Sequence, residues 1–333
     1  MHSRFSSRFV RTFIASLLCS TIGLGAVNVA HAEVKVGLSD WPGWVAWYIA
    51  DQKGFFKKHG AKVKLVWFPN YTDSIAALSA GQLDANSQTW SDTMTPLAKG
   101  VQLKAIMVND NSAGNDALMV SPKIKSFADL KGKSIALEQF SISHFVLANA
   151  LTKNGLSIKD VKVVNLSAGD AAAAFMSGKV DAAVVWNPWV ARIETSGKGR
   201  ALFTSKDMPG LVPDLLVAHG KTLADKAKRA ELVGVIRAWA DTEQFIRTNQ
   251  AEALQIMAKV VSMKPDEYKV FLPGTRFFTL ADGAAALDAG KPLSLVAVGP
   301  AIHKFLSDNK LVDGPVDFAK GIDASLTADA LKK

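Results

Sequence analysis

The sequence predicts an α/β protein built as two lobes with a hinged cleft between them. Strand-like and helix-like segments alternate from Val34 onward, the order that gives a largely parallel sheet covered by helices on both faces. One run of elements occurs twice. Ala77–Ala85 (ALSAGQLDA) and Ala174–Ala182 (AFMSGKVDA) each read as a helix end, a glycine cap, an Asp-Ala strand start and then a tryptophan, Trp90 or Trp186. The distance to the tryptophan differs by one residue, so this is a topological echo rather than a duplicated sequence. Acids and aromatics also gather just after predicted strands, which is where open α/β sheets bind ligands.

The stretch that organises the chain is Val34–Gly60. Val34, Val36 and Leu38 alternate as in a strand, and a turn follows at Ser39-Asp40-Trp41-Pro42-Gly43-Trp44. Pro42 suits the first turn of the next helix, where its missing N–H costs nothing. Trp47 belongs in a core. Trp41 and Trp44 flank a proline-glycine turn, a poor place to hide two large rings, so at least one of them is expected at a ligand.

Residues 1–32 read as a secretory signal peptide. Arg4, Arg8 and Arg11 precede the mostly apolar run from Phe13 to Ala30, and Ala30-His31-Ala32 fits a small-x-small cleavage site. Leu18 stands before Cys19 where a lipidation site wants a small residue, so no lipid anchor is expected. Cleavage removes three arginines and no acid, taking the formal charge from +9 to +6. The lysines that remain are scattered among acids, and no basic run forms a nucleic-acid footprint. Cys19 is the only cysteine of the 333 residues, so the cleaved chain has no thiol nucleophile, thiolate metal site or disulfide. No later run is long and apolar enough to span a membrane. No cofactor or metal is expected.

Further elements follow in order. Lys62–Phe68 is a strand, Thr72–Ser79 a helix with Thr72 or Asp73 near its cap, and Leu83–Gln88 and Leu103–Val108 are strands. Asn109–Asp116 reads as a polar loop and Ala117–Val120 as a strand. Beyond Ser126 come strand Ser134–Leu137, loop Glu138–Ser141 and a helix from His144 closed by Gly155. Strand Val161–Asn165, helix Asp170–Met176 and strand Val180–Val185 complete this unit. Leu211–Ala218 is a return strand. Lys226–Thr248 and Ala251–Val261 are amphipathic helices, Met263–Tyr268 is a turn and helix start, and Pro292–Asp308 is a helical region kinked or split at Pro300. Residues 33–116 with 217–333 then form lobe one, and residues 117–216 form lobe two.

The chain shows no Gly-x-Ser-x-Gly, His-Glu-x-x-His or Walker-type motif, so an enzyme is not expected. The candidate ligand-binding residues are Asp40, Trp41, Trp44, Tyr71, Gln88, Trp90, Asp92, Asp116, Glu138, Trp186 and Asp214. The loops that carry them hold acids and indoles and no arginine, which an anion site usually wants. Acids beside indole faces suit a small organic cation. The helix start at Ser141-Ile142-Ser143 keeps an anion possible, because free backbone N–H groups point outward there.

At these residues the chain resembles periplasmic solute-binding proteins of ABC importers, in the nitrate/taurine/sulfonate class with a thiamine-precursor-like fold. The resemblance rests on Ala50–Gly60 (ADQKGFFKKHG), Ala80–Ala85 (AGQLDA), Leu130–Lys133 (LKGK) and Gly178–Ala182 (GKVDA), and spans nearly all of Val34–Leu326. Ser39–Trp47 (SDWPGWVAW), Val108-Asn109-Asp110, Gly114-Asn115-Asp116 and Pro209-Gly210-Leu211 are similar to a narrower group associated with urea-carboxylase-type operons and with urea-like or guanidine-like compounds. Trp189 and the pair Trp90-Ser91 depart from that group. The resemblance implies a type II periplasmic binding protein, a monomer that captures a small nitrogenous solute and hands it to a membrane permease and its ATPase. The alternatives are an aliphatic sulfonate, taurine or nitrate as ligand, a sensory receptor, or a thiamine-precursor enzyme, whose cysteine-rich motif is absent here.

Overall fold

The computed structural model of the protein describes residues 32–332. The expected signal peptide lies outside the described residues, apart from its last residue, Ala32. Eleven strands are described: β1 (Val34–Leu38), β2 (Val63–Trp67), β3 (Ala85–Thr89), β4 (Leu103–Ser112), β5 (Asp116–Val120), β6 (Ser134–Leu137), β7 (Lys162–Asn165), β8 (Ala182–Trp186), β9 (Arg200–Thr204), β10 (Pro213–His219) and β11 (Thr275–Phe277). They form two sheets, ordered β11-β4-β10-β3-β1-β2 and β7-β6-β8-β5-β9.

The two sheets share one plan. In each, the first strand pairs in parallel with the next two, β1 with β2 and β3, and β6 with β7 and β8. In each, one antiparallel strand is then inserted, β10 in the first sheet and β5 in the second. The sheets are therefore mixed rather than largely parallel. The inserted strands come from the two segments in which the chain passes between sheets. It leaves the first sheet after Ser112, enters the second at Asp116, and returns between Thr204 and Pro213. The sequence boundary at Leu216/Val217 falls inside β10, which pairs with β3 and β4 over its whole length.

The repeated Asp-Ala motif has the same physical task in both lobes. Asp84 Oδ2 accepts the Lys35 N–H at the start of β1 at 2.8 Å, and Asp181 Oδ2 accepts the Ser134 N–H at the start of β6 at 2.9 Å. In return each aspartate donates its own N–H to the same neighbour's carbonyl, at 3.0 Å in both cases. Gly81 and Gly178, at φ 71° and 74°, occupy the left-handed region that ends the preceding helix and turns the chain toward that aspartate.

Β-strand four runs four residues further than the sequence predicts. The polar run Asn109–Ser112 continues the strand because β10 and β11 flank it and take its backbone groups. The expected break at Pro300 is also absent, and Leu295–Asp308 is one helix with Pro300 inside it. Helix Lys226–Thr248 packs its apolar stripe on the turn region after β1. The Trp239 ring lies 5.0 Å from that of Trp47, whose own Nε1 donates to Ser87 Oγ at 3.1 Å. Among the described residues no helix is long and apolar enough to cross a membrane.

Candidate functional site

A small cavity lies where the strand ends of the two sheets meet, lined by Trp41, Trp44, Tyr71, Thr89, Asp116, Ile142, Trp186, Val212 and Asp214. The fold supplies these from both lobes. Trp41 and Trp44 come from the turn after β1, Tyr71 starts the helix after β2, and Thr89 ends β3. Trp186 ends β8, and Ile142 starts the helix after β6. Six of the eleven residues singled out from sequence are among the lining: Trp41, Trp44, Tyr71, Asp116, Trp186 and Asp214.

The aromatic walls are fixed by their contacts. The Trp44 ring centroid is 6.4 Å from Trp41 and 5.0 Å from Tyr71, and Trp186 meets Tyr71 edge-on at 5.8 Å. Tyr71 Oη accepts the Thr89 N–H at 3.0 Å. Trp41 Nε1 donates to Asp110 Oδ1 at 3.0 Å, while the buried Nε1 of Trp44 has no protein acceptor.

The floor is acidic. Asp110 and Asp214 are register neighbours on β4 and β10, and Asp116 opens β5 beside them. All three are buried, and each keeps an Oδ2 with no hydrogen-bond donor among the N–H and O–H groups of the described residues. Burial pushes the carboxyls of Asp110 and Asp116 up to about 7. Asp214 is also raised well above the ordinary carboxyl range, by burial first and then by the charges of Asp110 and Asp116. Gly43 makes the approach of Asp110 possible, since a Cβ there would stand 1.9 Å from Asp110 Oδ2. No lysine or arginine is among the residues that line the cavity.

The other five predicted residues lie elsewhere. Asp40, at the cleft rim, accepts Trp186 Nε1 at 2.7 Å and Trp189 Nε1 at 2.6 Å across the lobes. Glu138 accepts the Thr72 N–H and Oγ1–H at 2.6 and 2.7 Å. Asp92, pushed up to about 7 by burial, accepts the Ile142 N–H at 2.9 Å. These three acids join lobe to lobe and do not line the cavity. Gln88 is buried among Asn86 and Thr93 and points away from it.

Trp90 is a core residue. Its Nε1 donates to the Leu295 carbonyl at 3.1 Å and its ring packs edge-on against Phe318. The reason is the one-residue difference in the repeat. Both strands have five residues, and Trp186 ends its strand while Trp90 follows one. A one-residue slip reverses the face a side chain takes. The position that matches Trp186 is Thr89, which does line the cavity. Asp110, beside Asp214 in the sheet but not among the lining, is not singled out by the sequence because its polar run reads as loop.

Comparison with known proteins agrees with this architecture. The chain is 30% identical over 187 residues to the taurine-binding periplasmic protein of Escherichia coli, covering 56% of this chain and 57% of the relative. The structure of the alkanesulfonate-binding protein SsuA of Xanthomonas axonopodis pv. citri bound to MOPS superposes with a TM-score of 0.75 at 22% identity, covering 88% of this chain and 98% of that one. The periplasmic aliphatic sulphonate binding protein SsuA of Escherichia coli gives a TM-score of 0.72 at 23% identity, covering 87% and 92%. The fold is that of a periplasmic binding protein, and these three relatives are binding proteins rather than enzymes. The sequence profile described as NMT1/THI5 like matches residues 41–253, and the chain belongs to that family.

Proposed function

We propose that the chain is the solute-binding subunit of an ABC importer, capturing one small solute in the cavity between its lobes and delivering it to a permease and ATPase. The relatives named for sulfonates and taurine support this class. Export through the signal peptide, with cleavage after Ala32, belongs to the same reading. Mass spectrometry of the exported protein should find Glu33 as its first residue.

For the ligand, the cavity's own chemistry favours a solute rich in N–H groups, cationic or urea-like. The observation that carries this is the acidic floor: Asp116 and Asp214 line the cavity with unpartnered oxygens, and no basic side chain lines it. A buried carboxylate needs an opposite charge or a donor, and a cation supplies both. The indole faces of Trp41, Trp44 and Trp186 add cation–π attraction of about 0.5–2 kcal/mol per favourable ring. The helix start at Ile142, where an anion would sit, already has Asp92 on its first N–H.

The second reading is an aliphatic sulfonate, taurine or nitrate, and the names of the relatives favour it over the first. Trp44 Nε1, an unpartnered donor, gives an anionic oxygen one contact. Taurine carries an ammonium as well as a sulfonate and so engages both the acids and the donor. Isothermal titration calorimetry of residues 33–333 with guanidinium chloride, urea, taurine, methanesulfonate and nitrate separates the two. The first reading expects heat from guanidinium or urea and none from methanesulfonate or nitrate. The reverse pattern overturns it and leaves the second.

A further inference from the structure

Between the lobes, outside the cavity, one carboxylate holds two indoles. Asp40 of the first lobe accepts Trp186 Nε1 on Oδ1 and Trp189 Nε1 on Oδ2, both from the second lobe. An indole N–H can only donate and an ionised carboxylate can only accept, so the match is complete. Both bonds are short, as charge-assisted bonds are. Neither Asp40 nor Trp189 lines the cavity.

Trp189 is itself pinned. The Arg192 guanidinium lies 4.5 Å over its ring and donates from Nη2 to the Val261 carbonyl at 3.1 Å, a second tie from lobe two to lobe one. On the other side Trp189 fills the space that Gly169 leaves, where a Cβ would stand 2.9 Å from the ring. Within lobe two the ring of Trp189 is thus held by Gly169 and Arg192.

We propose that Asp40, Trp186 and Trp189 form a closure latch, which locks lobe two onto lobe one through protein contacts alone and in doing so sets Trp186 as a wall of the cavity. Asp40 is a positioning residue here. The two latch hydrogen bonds are made between protein groups and need no solute, so the closed form is populated whatever the solute is, and the latch sets its share. Because Asp40 and Trp189 do not line the cavity and Trp186 is held by its Nε1, the proposal stands apart from the choice of ligand.

The test uses residues 33–333, which contain no cysteine. Cysteines introduced at the exposed Lys57 in lobe one and Lys159 in lobe two carry spin labels, and pulsed electron paramagnetic resonance reads the distance between the lobes in the solute-free chain. A second pair, both labels within lobe two, reports its integrity. The wild type should show a closed component. Trp189→Phe keeps an aromatic ring but removes the N–H along with part of the indole, and should lower the closed-to-open ratio at least tenfold, the weight of one hydrogen bond to a charged group or more. Asp40→Ala should lower it further, and adding Trp189→Phe to Asp40→Ala should change nothing more. The distance within lobe two should stay fixed throughout. A wild type with no closed component, variants with the wild-type distribution, or fully additive effects in the double variant overturn the latch.

Discussion

Replacing Asp116 with asparagine should make the solute-free protein more stable, by an amount that grows with pH. Asp116 is buried and its carboxyl is pushed up to about 7, from an ordinary 3.8, by loss of solvation. A carboxyl whose pKa is raised by folding contributes its stability below the unfolded value. It loses that contribution as pH rises through the folded one. Between pH 4 and 7 the loss is ~1.4 kcal/mol per unit, so raising the pH from 5 to 7 costs the wild type ~3 kcal/mol at this residue. Asparagine does not ionise and escapes that cost. Two buried histidines act in the opposite sense, His144, pushed down to about 4, and His219, also lowered. Both are present in wild type and variant and cancel in the difference.

Calorimetric melting of the two proteins at pH 5, 6 and 7 measures this. At roughly 2 °C per kcal/mol for a chain of this size, the gap in Tm should widen by about 5 °C across the range. Removing Asp116 also relieves Asp110, which has the Asp116 charge among the causes of its raised pKa, and that acts in the same direction. A gap that stays constant with pH would mean that the floor is compensated in the solute-free protein, and the argument for an uncompensated acidic cavity would fail.

Gly43→Ala places a Cβ against the Asp110 carboxylate and should displace it from Trp41, costing about 1.5–3 kcal/mol in urea unfolding and abolishing ligand heat in calorimetry. Trp90→Phe should cost about 2–3 kcal/mol, for its lost bond to Leu295 and the space the smaller ring leaves in the core, and leave ligand affinity unchanged, a result that a ligand-contacting Trp90 would contradict. Asp214→Asn should weaken a cationic solute at least tenfold by calorimetry while leaving a purely anionic one no weaker. Thr89→Trp, which fills the cavity with the residue found at the matching position of lobe two, should abolish binding in the same assay while thermal melting shows a folded chain.

Much of the fold was legible because it depends on local patterns. The strand at Val34–Leu38 alternates as a strand must, and helix Lys226–Thr248 has both a long apolar stripe and a capping Asp225 that accepts two N–H groups. The repeated Asp-Ala motif was legible too, since a glycine turn followed by a short acid that staples two strands leaves a fixed spacing. What was not legible depends on pairing. Asn109–Ser112 has no strand propensity of its own and becomes strand only because β10 and β11 lie on either side. The antiparallel insertions were hidden for the same reason, as a strand's direction is set by where the chain crosses.

The site shows the same division at the level of single side chains. Asp40, Asp92, Glu138, Asp116 and Asp214 could not be told apart in sequence, since all stand at strand ends or in the turns just beyond them with aromatics nearby. What separates them is what each faces once the lobes meet. The first three accept from donors on the opposite lobe, Asp40 from Trp186 and Trp189, Asp92 from Ile142 and Glu138 from Thr72, although Glu138 Oε2 keeps no donor among the described residues. Asp116 and Asp214 face the cavity and other acids and are not satisfied. On the proposed reading the cleft uses carboxylates for two purposes: a rim set that accepts hydrogen bonds across the lobes, and a floor set left for the solute. A solute that supplied positive charge would be drawn to the floor without weakening the rim. One that brought negative charge would add its own repulsion to that of Asp110, Asp116 and Asp214, and only their protonation would let it stay.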